Sequence, residues 1–293
     1  MEASSPRRKS LPAEAEESET RPESLPSEIH ERIVSLLPIR DAVRTSAVAR
    51  AWRRIWESAP GLALDWGFEH GADPAYADAV LARYTRPVCS FFFCLSEASS
   101  QRADDWVPLL AGKGVQILRL HFSRGRYPVS KNSTSICQRE RAVLWRDSRA
   151  PLRTSCSFEN LKSLSLNTDF CFLSTILSTL YLLKNAPNLE ELSIEIMYDN
   201  DQHEEVGLDL LSAQWTDGLL AKLKSVSMDM ATCESNEMHF IEFVLSKARR
   251  LEEFRICAVE DCTRSNEELL VEIIKYRRAS PQAKVFFKRM VFV

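Results

Sequence analysis

Residues able to do chemistry are present in this chain, but their spacing does not gather them. The five histidines stand apart: His30 falls in an N-terminal helical stretch, His70 in a linker, His121 in a strand, His203 beside acids and His239 at a helix start. No G-x-S-x-G or related nucleophile motif surrounds any of them, so no acyl- or group-transfer centre is read from the sequence. Eight cysteines (Cys89, Cys94, Cys137, Cys156, Cys171, Cys233, Cys257 and Cys262) are scattered, with no C-x-x-C and no histidines at zinc spacing. They read as small apolar fillers in a reducing compartment. The eight glycines form neither G-x-G-x-x-G nor G-x-x-x-x-G-K-[ST], which removes a phosphate-cradling loop. Asp199 to Glu205, DNDQHEE, has the charge to attract a cation but lacks calcium-loop spacing and a glycine, so it reads as a solvated loop. No catalytic residue, metal site or cofactor is assigned.

The chemistry that remains is that of a surface. Four segments, FENLKSLSL (Phe158 to Leu166), APNLEELSI (Ala186 to Ile194), LAKLKSVSM (Leu220 to Met228) and ARRLEEFRI (Ala248 to Ile256), share one L-x-x-h-x-h frame in which h is apolar. Their anchors Leu161, Leu189, Leu223 and Leu251 are spaced by 28, 34 and 28 residues, in and just above the leucine-rich repeat range. Strand alternation turns the apolar members one way and the flanking residues the other. The outward set is Ser163, Ser165 and Asn167; Glu191, Ser193 and Glu195; Ser225, Ser227 and Asp229; Glu253 and Arg255. Such a hydroxyl and carboxylate face is expected to hold a polar or basic segment of a target protein.

Elements that would position this face are legible around it. Leu173, Ile176, Leu177, Leu180 and Leu183 keep one helical stripe, Phe240, Phe243, Val244, Ala248 and Leu251 a second, and Leu269, Leu270, Ile273 and Ile274 a third. Upstream, Ala75 to Tyr84 and Trp106 to Leu110 read as helices, and Val88 to Leu95 and Val115 to Phe122 as strands. A single strand-helix unit cannot bury its own apolar face, so the units are expected to stack. The repeats are irregular: Asp169, Met197, Ala231 and Val259 stand where regular arrays carry Asn or Cys.

Leu25 to Trp56, LPSEIHERIVSLLPIRDAVRTSAVARAWRRIW, is of another kind. Its spacing predicts three short amphipathic helices: Ile29, Ile33, Leu36 and Leu37 on the first, ended by Pro38; Val43, Ala47 and Val48 on the second, capped by Asp41; Trp52, Ile55, Trp56 and Ala59 on the third, ended by Pro60-Gly61. A unit of about 35 residues falls below the roughly 40 that usually fold alone, so it needs a neighbour. The run resembles an F-box in the form common in plant F-box proteins with leucine-rich repeats: an L-P-x-E-I start, an L-L-P-x-R-D-A-V-R-T-S middle and a W-R-x-x-W end, departing at Ala49, where serine is more usual. The resemblance implies a helical cluster that docks on a Skp-family adaptor, and through it a cullin, by Leu25, Pro26, Ile29, Ile33, Leu36, Leu37 and Val43. Leu220 to Phe287 resembles the C-terminal FBD-type region of the same proteins, with Ala283 to Phe287 as a closing strand.

The expected fold is thus α/β, an N-terminal three-helix F-box followed by an irregular leucine-rich-repeat solenoid. The expected division is a disordered tail over 1–24, the F-box over 25–60, irregular repeats over 61–219 with 123–156 poorly matched, and an FBD-like region over 220–293. The tail holds a short basic run, Pro6 to Ser10, read as solvated. A net charge of -3 from 38 basic and 41 acidic residues gives no overall footprint for nucleic acid. No apolar run approaches the ~18 residues of a membrane span and no signal-peptide core is present, so a cytosolic or nuclear location is expected. The function implied is that of a non-catalytic, substrate-recognition subunit of a Skp-cullin-F-box ubiquitin ligase. Two alternatives stand beside it: a repeat scaffold that does not engage the ligase, and a DNA-binding regulator using Arg40, Arg44, Arg50, Arg53 and Arg54.

Overall fold

Alternating apolar residues, repeated every 27 to 34 residues except for one step of 46 between Leu118 and Leu164, build one sheet whose strands are all parallel. The computed structural model describes residues 25–66, 73–95, 102–122, 156–168, 170–171, 173–197, 218–260, 262 and 264–290. The expected tail, nearly all of the poorly matched segment and the acidic run lie outside these residues. The strands are β1 (Ala63–Asp65), β2 (Ser90–Leu95), β3 (Ile117–Phe122), β4 (Ser163–Thr168), β5 (Glu191–Ile196), β6 (Ser225–Ala231), β7 (Glu253–Ala258) and β8 (Lys284–Arg289), and their order in the sheet is their order in the chain.

One apolar column crosses the whole sheet in register: Leu64, Phe91, Leu118, Leu164, Leu192, Val226, Phe254 and Val285. All but Val285 are buried, so a one-residue slip would turn every one of them to water. The four anchor leucines close the same turn before their strands: Leu161, Leu189, Leu223 and Leu251 N–H groups donate to the carbonyls of Phe158, Ala186, Leu220 and Ala248 at 3.2, 3.2, 3.1 and 3.3 Å. Each unit then hands its chain to the next. The Lys162 carbonyl accepts from Glu190 and Glu191 at 2.8 and 2.9 Å, the Glu190 carbonyl from Lys224 and Ser225 at 2.8 and 3.1 Å, and the Lys224 carbonyl from Glu252 and Glu253 at 2.8 and 3.1 Å.

Helices pack against the apolar side of the sheet and share its core. The first helices of the chain, α1 (Ser27–Ser35) and α2 (Ile39–Arg44), belong to the N-terminal module; the covering helices are α3 (Pro74–Arg83), α4 (Arg102–Gly112), α5 (Leu173–Lys184), α6 (Ser235–Lys247) and α7 (Asn266–Lys275). Asp73 caps α3, accepting from Ala75 N–H at 2.9 Å with Pro74 at the first helical position. Ser265 and Glu268 make a reciprocal capping box at the start of α7. α6 is buried along most of its length, Phe240, Ile241 and Val244 completely. In α5, Ile176, Leu180 and Leu183 are buried as the stripe predicts. The α7 stripe is corrected: Leu269 and Ile273 face the core, whereas Leu270 and Ile274 are exposed. Leu269 and Ile273 lie four residues apart and so share the one side of the helix that meets the sheet.

The connection from β6 into α6 contains a register shift between Met228 and Ala231 and left-handed backbone at Met230 (φ 61) and Cys233 (φ 60). Glu237 holds it. Its carboxyl takes Thr232 N–H at 2.9 Å, Cys233 N–H at 2.8 Å and the Thr232 hydroxyl at 2.6 Å, although the residue is buried. Burial pushes this carboxyl up to about 7, against the pull of those donors. Next to it, Asn236 Nδ2 donates to the Phe170 carbonyl at 2.9 Å, tying this loop to the one that follows β4.

The N-terminal module departs from the three-helix expectation. After α1 and α2 the chain makes three short 3₁₀ turns, Thr45–Ala47, Arg50–Trp52 and Ile55–Glu57. The predicted third helix is broken where Arg53 is extended and Arg54 left-handed (φ 63). Trp52 and Trp56 are nevertheless both buried, because the break turns both indoles into one core. Asp41 does not cap α2: Pro38 occupies that position, and the Asp41 carboxylate pairs with Arg44 Nη1 at 3.2 Å. Val48, predicted as an apolar member of the second helix, lies past its end and is exposed. The five arginines are thus divided between α2, which carries Arg40 and Arg44, and the 3₁₀ turns and loops that follow it.

Candidate functional site

Two surfaces lie at opposite ends of the chain's chemistry, one apolar and one polar. In the module, α1 turns His30 and Val34 inward, with the His30 ring 4.5 Å from that of Trp52 and tilted by 51° to it, and α2 turns Ile39 and Ala42 inward. The opposite side of α1 is left to water: Pro26, Ile29, Ile33 and Leu36 are exposed, Leu36 by 70%. Of the other residues predicted for this face, Leu25 is half-buried, and Leu37 and Val43 are half-buried against the core. Val48, 76% exposed, was missed because helical spacing placed it inside a helix that ends at Arg44.

This module is held rigidly to the sheet. Buried Glu57 pairs with Arg54 Nε at 2.9 Å and with the Arg83 guanidinium, which also lies 5.3 Å over the Trp56 ring. Tyr84 donates its hydroxyl proton to the Ala59 carbonyl at 2.8 Å, and Arg86 Nε to that of Ser58 at 3.1 Å. The exposed stripe of α1 is therefore carried on a base that is tied by paired groups to the end of α3.

On the sheet, the predicted outward residues fall into rows that run across the strands. Ser163, Glu191, Ser225, Glu253 and Lys284 are register neighbours in one row, and Arg119, Ser165, Ser193, Ser227, Arg255 and Phe286 in the next. Asn167, Glu195 and Asp229 form a third. All the predicted residues thus share one face, with a shallow depression of about 230 Å³ between β4 and β7. A strip of hydroxyls runs between carboxylates, and Ser227 Oγ donates to Ser193 Oγ at 3.0 Å. Arg255 is held by Glu253 in a fork of 2.5 and 3.0 Å. Asp229 accepts the Cys257 thiol proton, and burial together with that bond pushes the thiol up. Glu191 is exposed, whereas Glu195 and Asp229 are half-buried, so it is the carboxylate of this face most open to a cationic ligand.

Sequence reasoning left out the flank of this face. Phe92, Arg119 and His121 from β2 and β3, and Lys284, Phe286 and Lys288 from β8, continue the rows. The signal was the parity of Val115 to Phe122, which puts Arg119 and His121 on the outward side. His121 Nε2 lies 2.9 Å from Ser165 Oγ and Nδ1 lies 3.7 Å from Glu195 Oε2, with Phe92 at 5.4 Å in edge contact. Burial holds the imidazole below its usual range, with Arg119 adding to the effect and Glu195 opposing it. The residue types are those of a hydrolase relay, but the acid contact exceeds hydrogen-bond length. What the cluster can do is present a hydroxyl, an imidazole and a carboxylate to a bound chain.

No group of three or more His, Cys, Asp or Glu among the described residues is arranged to hold a metal ion, and no described helix is long and apolar enough to cross a membrane. Comparison with known proteins bears on the module first: residues 22–62 match the F-box domain family model. F-box/LRR-repeat protein 25 of Arabidopsis thaliana is 31% identical over 181 residues, 59% of this chain and 66% of that protein. Another F-box/LRR-repeat protein of that plant is 24% identical over 185 residues, 60% of each chain. An F-box/FBD/LRR-repeat protein of the same plant is 29% identical over 140 residues, 47% of this chain and 33% of that protein. The matched segments thus span from 33% to 66% of these relatives' own lengths.

Proposed function

From the premise that this chain is an F-box protein homologous to plant F-box/LRR-repeat proteins, we propose that it is a substrate-recognition subunit of a Skp-cullin-F-box ubiquitin ligase. The observation that carries this reading is the split of α1: one side locked into the module, the other a stripe of Ile29, Ile33 and Leu36 open to water. A stripe of that kind is what a helix-binding groove on a Skp-family adaptor takes, by the apolar anchors at helical spacing. The strand-helix units act as an irregular leucine-rich-repeat solenoid whose polar face holds the target, and no step of chemistry is assigned to the chain itself.

Co-expression with a Skp-family adaptor tests the first half. A complex that co-elutes with wild type and is lost in Ile33→Asp, with unchanged circular dichroism, supports the reading; absence of any complex with the wild-type chain overturns it. For the second half, the triple change Glu191→Lys, Glu195→Lys and Asp229→Lys should remove co-purifying targets while leaving the adaptor bound. Retention of every target would take the polar face out of the proposal.

A further inference from the structure

The two ends of the sheet are finished differently. At the β1 end the chain supplies its own cover, since α2 packs beside β1 and the two share one core. At the other end stand α7 and β8, and there the apolar surface continues into solvent: Leu270 is 42%, Val271 53% and Ile274 71% exposed. Exposed large apolar residues in a contiguous stripe mark a contact surface.

The charges flanking this stripe say what covers it. Glu267, Leu270, Val271, Ile274 and Lys275 follow at helical steps of three and four, and all are exposed. Glu267 and Lys275 therefore bracket the apolar residues on one side of the helix, about 12 Å apart along its axis. Two such helices laid antiparallel about a two-fold axis bring Glu267 of each copy to Lys275 of the other and pack Leu270, Val271 and Ile274 against themselves. A face that is complementary to itself is the requirement of an isologous contact. Edge-to-edge pairing of β8 satisfies no such condition, because it sets Lys284, Lys288 and Arg289 against their own copies, and like charges directly opposite are destabilising.

We propose that α7 is a homotypic docking surface that pairs with α7 of a second copy of this chain. Three apolar residues per copy make a contact below the standard interface size, so the association is weak and reversible. Sedimentation velocity of the full chain should show the mass passing from one chain to two over about 10 to 500 µM. Ile274→Asp should leave one chain throughout. Glu267→Lys or Lys275→Glu alone should weaken the dimer roughly tenfold, since each turns both symmetric pairs into repulsions, and the two changes together should restore it. Ile33→Asp should leave it intact. A single mass across the range, a dimer that survives Ile274→Asp, failure of the double charge swap to restore association, or its loss in Ile33→Asp, which would assign it to α1, each overturns the proposal.

Discussion

The N-terminal module and the repeated strands face the same difficulty, a short segment with an apolar side, and resolve it in different ways. In the array each unit buries its apolar column against its neighbours, and the registered residues from Leu64 to Phe254 are closed to water. In the module only the inner side is buried, and α1 keeps Ile29, Ile33 and Leu36 outside. Burial is therefore most complete in residues that repeat, and exposed apolar surface lies in those that break the repeat. The α7 stripe belongs with α1 in this respect, although it is built from a repeat unit.

The largest effect that sharpens the contrast is expected in the array. Phe254→Ala removes a fully buried ring from the middle of the column and should lower unfolding stability by about 3–5 kcal/mol in denaturant titration. Next comes pH. Glu237 has an ordinary carboxyl value of 4.5 and is raised to about 7 when folded, so the folded chain binds its proton more tightly than the unfolded one. Its contribution is fully present below about 4.5 and is lost as pH rises through about 7, with a span of up to about 3 kcal/mol. Thermal unfolding of wild type should show that fall, and Glu237→Gln should flatten it; a wild type with no slope in this window refutes the assignment. Smaller again is the joint between the regions: Arg83→Ala strips Glu57 of one partner and Trp56 of its cation, and should cost about 1–2 kcal/mol, read as earlier loss of tryptophan fluorescence. Least of all, Leu36→Ala should change stability by no more than about 0.5 kcal/mol while weakening adaptor binding in a pull-down. A stability loss comparable to that of Phe254→Ala would mean that the α1 stripe is core.

Legibility followed how local the cause was. Strands β4 to β7 could be placed because L-x-x-h-x-h repeats and its parity decides which side chains meet water; the outward residues from Ser163 to Arg255 follow from parity alone. α1 was readable for the same reason, its stripe having helical period and a proline at each end. The third helix of the module was misplaced because Trp52, Ile55 and Trp56 have helical spacing, yet packing both indoles into one core required Arg54 to take a left-handed conformation. Asp41 has the chemistry of a cap, but Pro38 had already started the helix.

Composition, period and parity were enough to determine from the sequence alone that a helical module precedes a run of strand-helix units and that a polar face lies opposite an apolar one, whereas an open face on α1 was implied by the resemblance to F-boxes. Only tertiary structure could decide which half of an apolar helix is left uncovered, as at Leu270 and Ile274, and which distant side chains become neighbours, as with His121, Ser165 and Glu195. The reason is physical. Period and parity are properties of a few consecutive residues, whereas exposure and contact depend on what the rest of the chain, tens of residues away, leaves beside them.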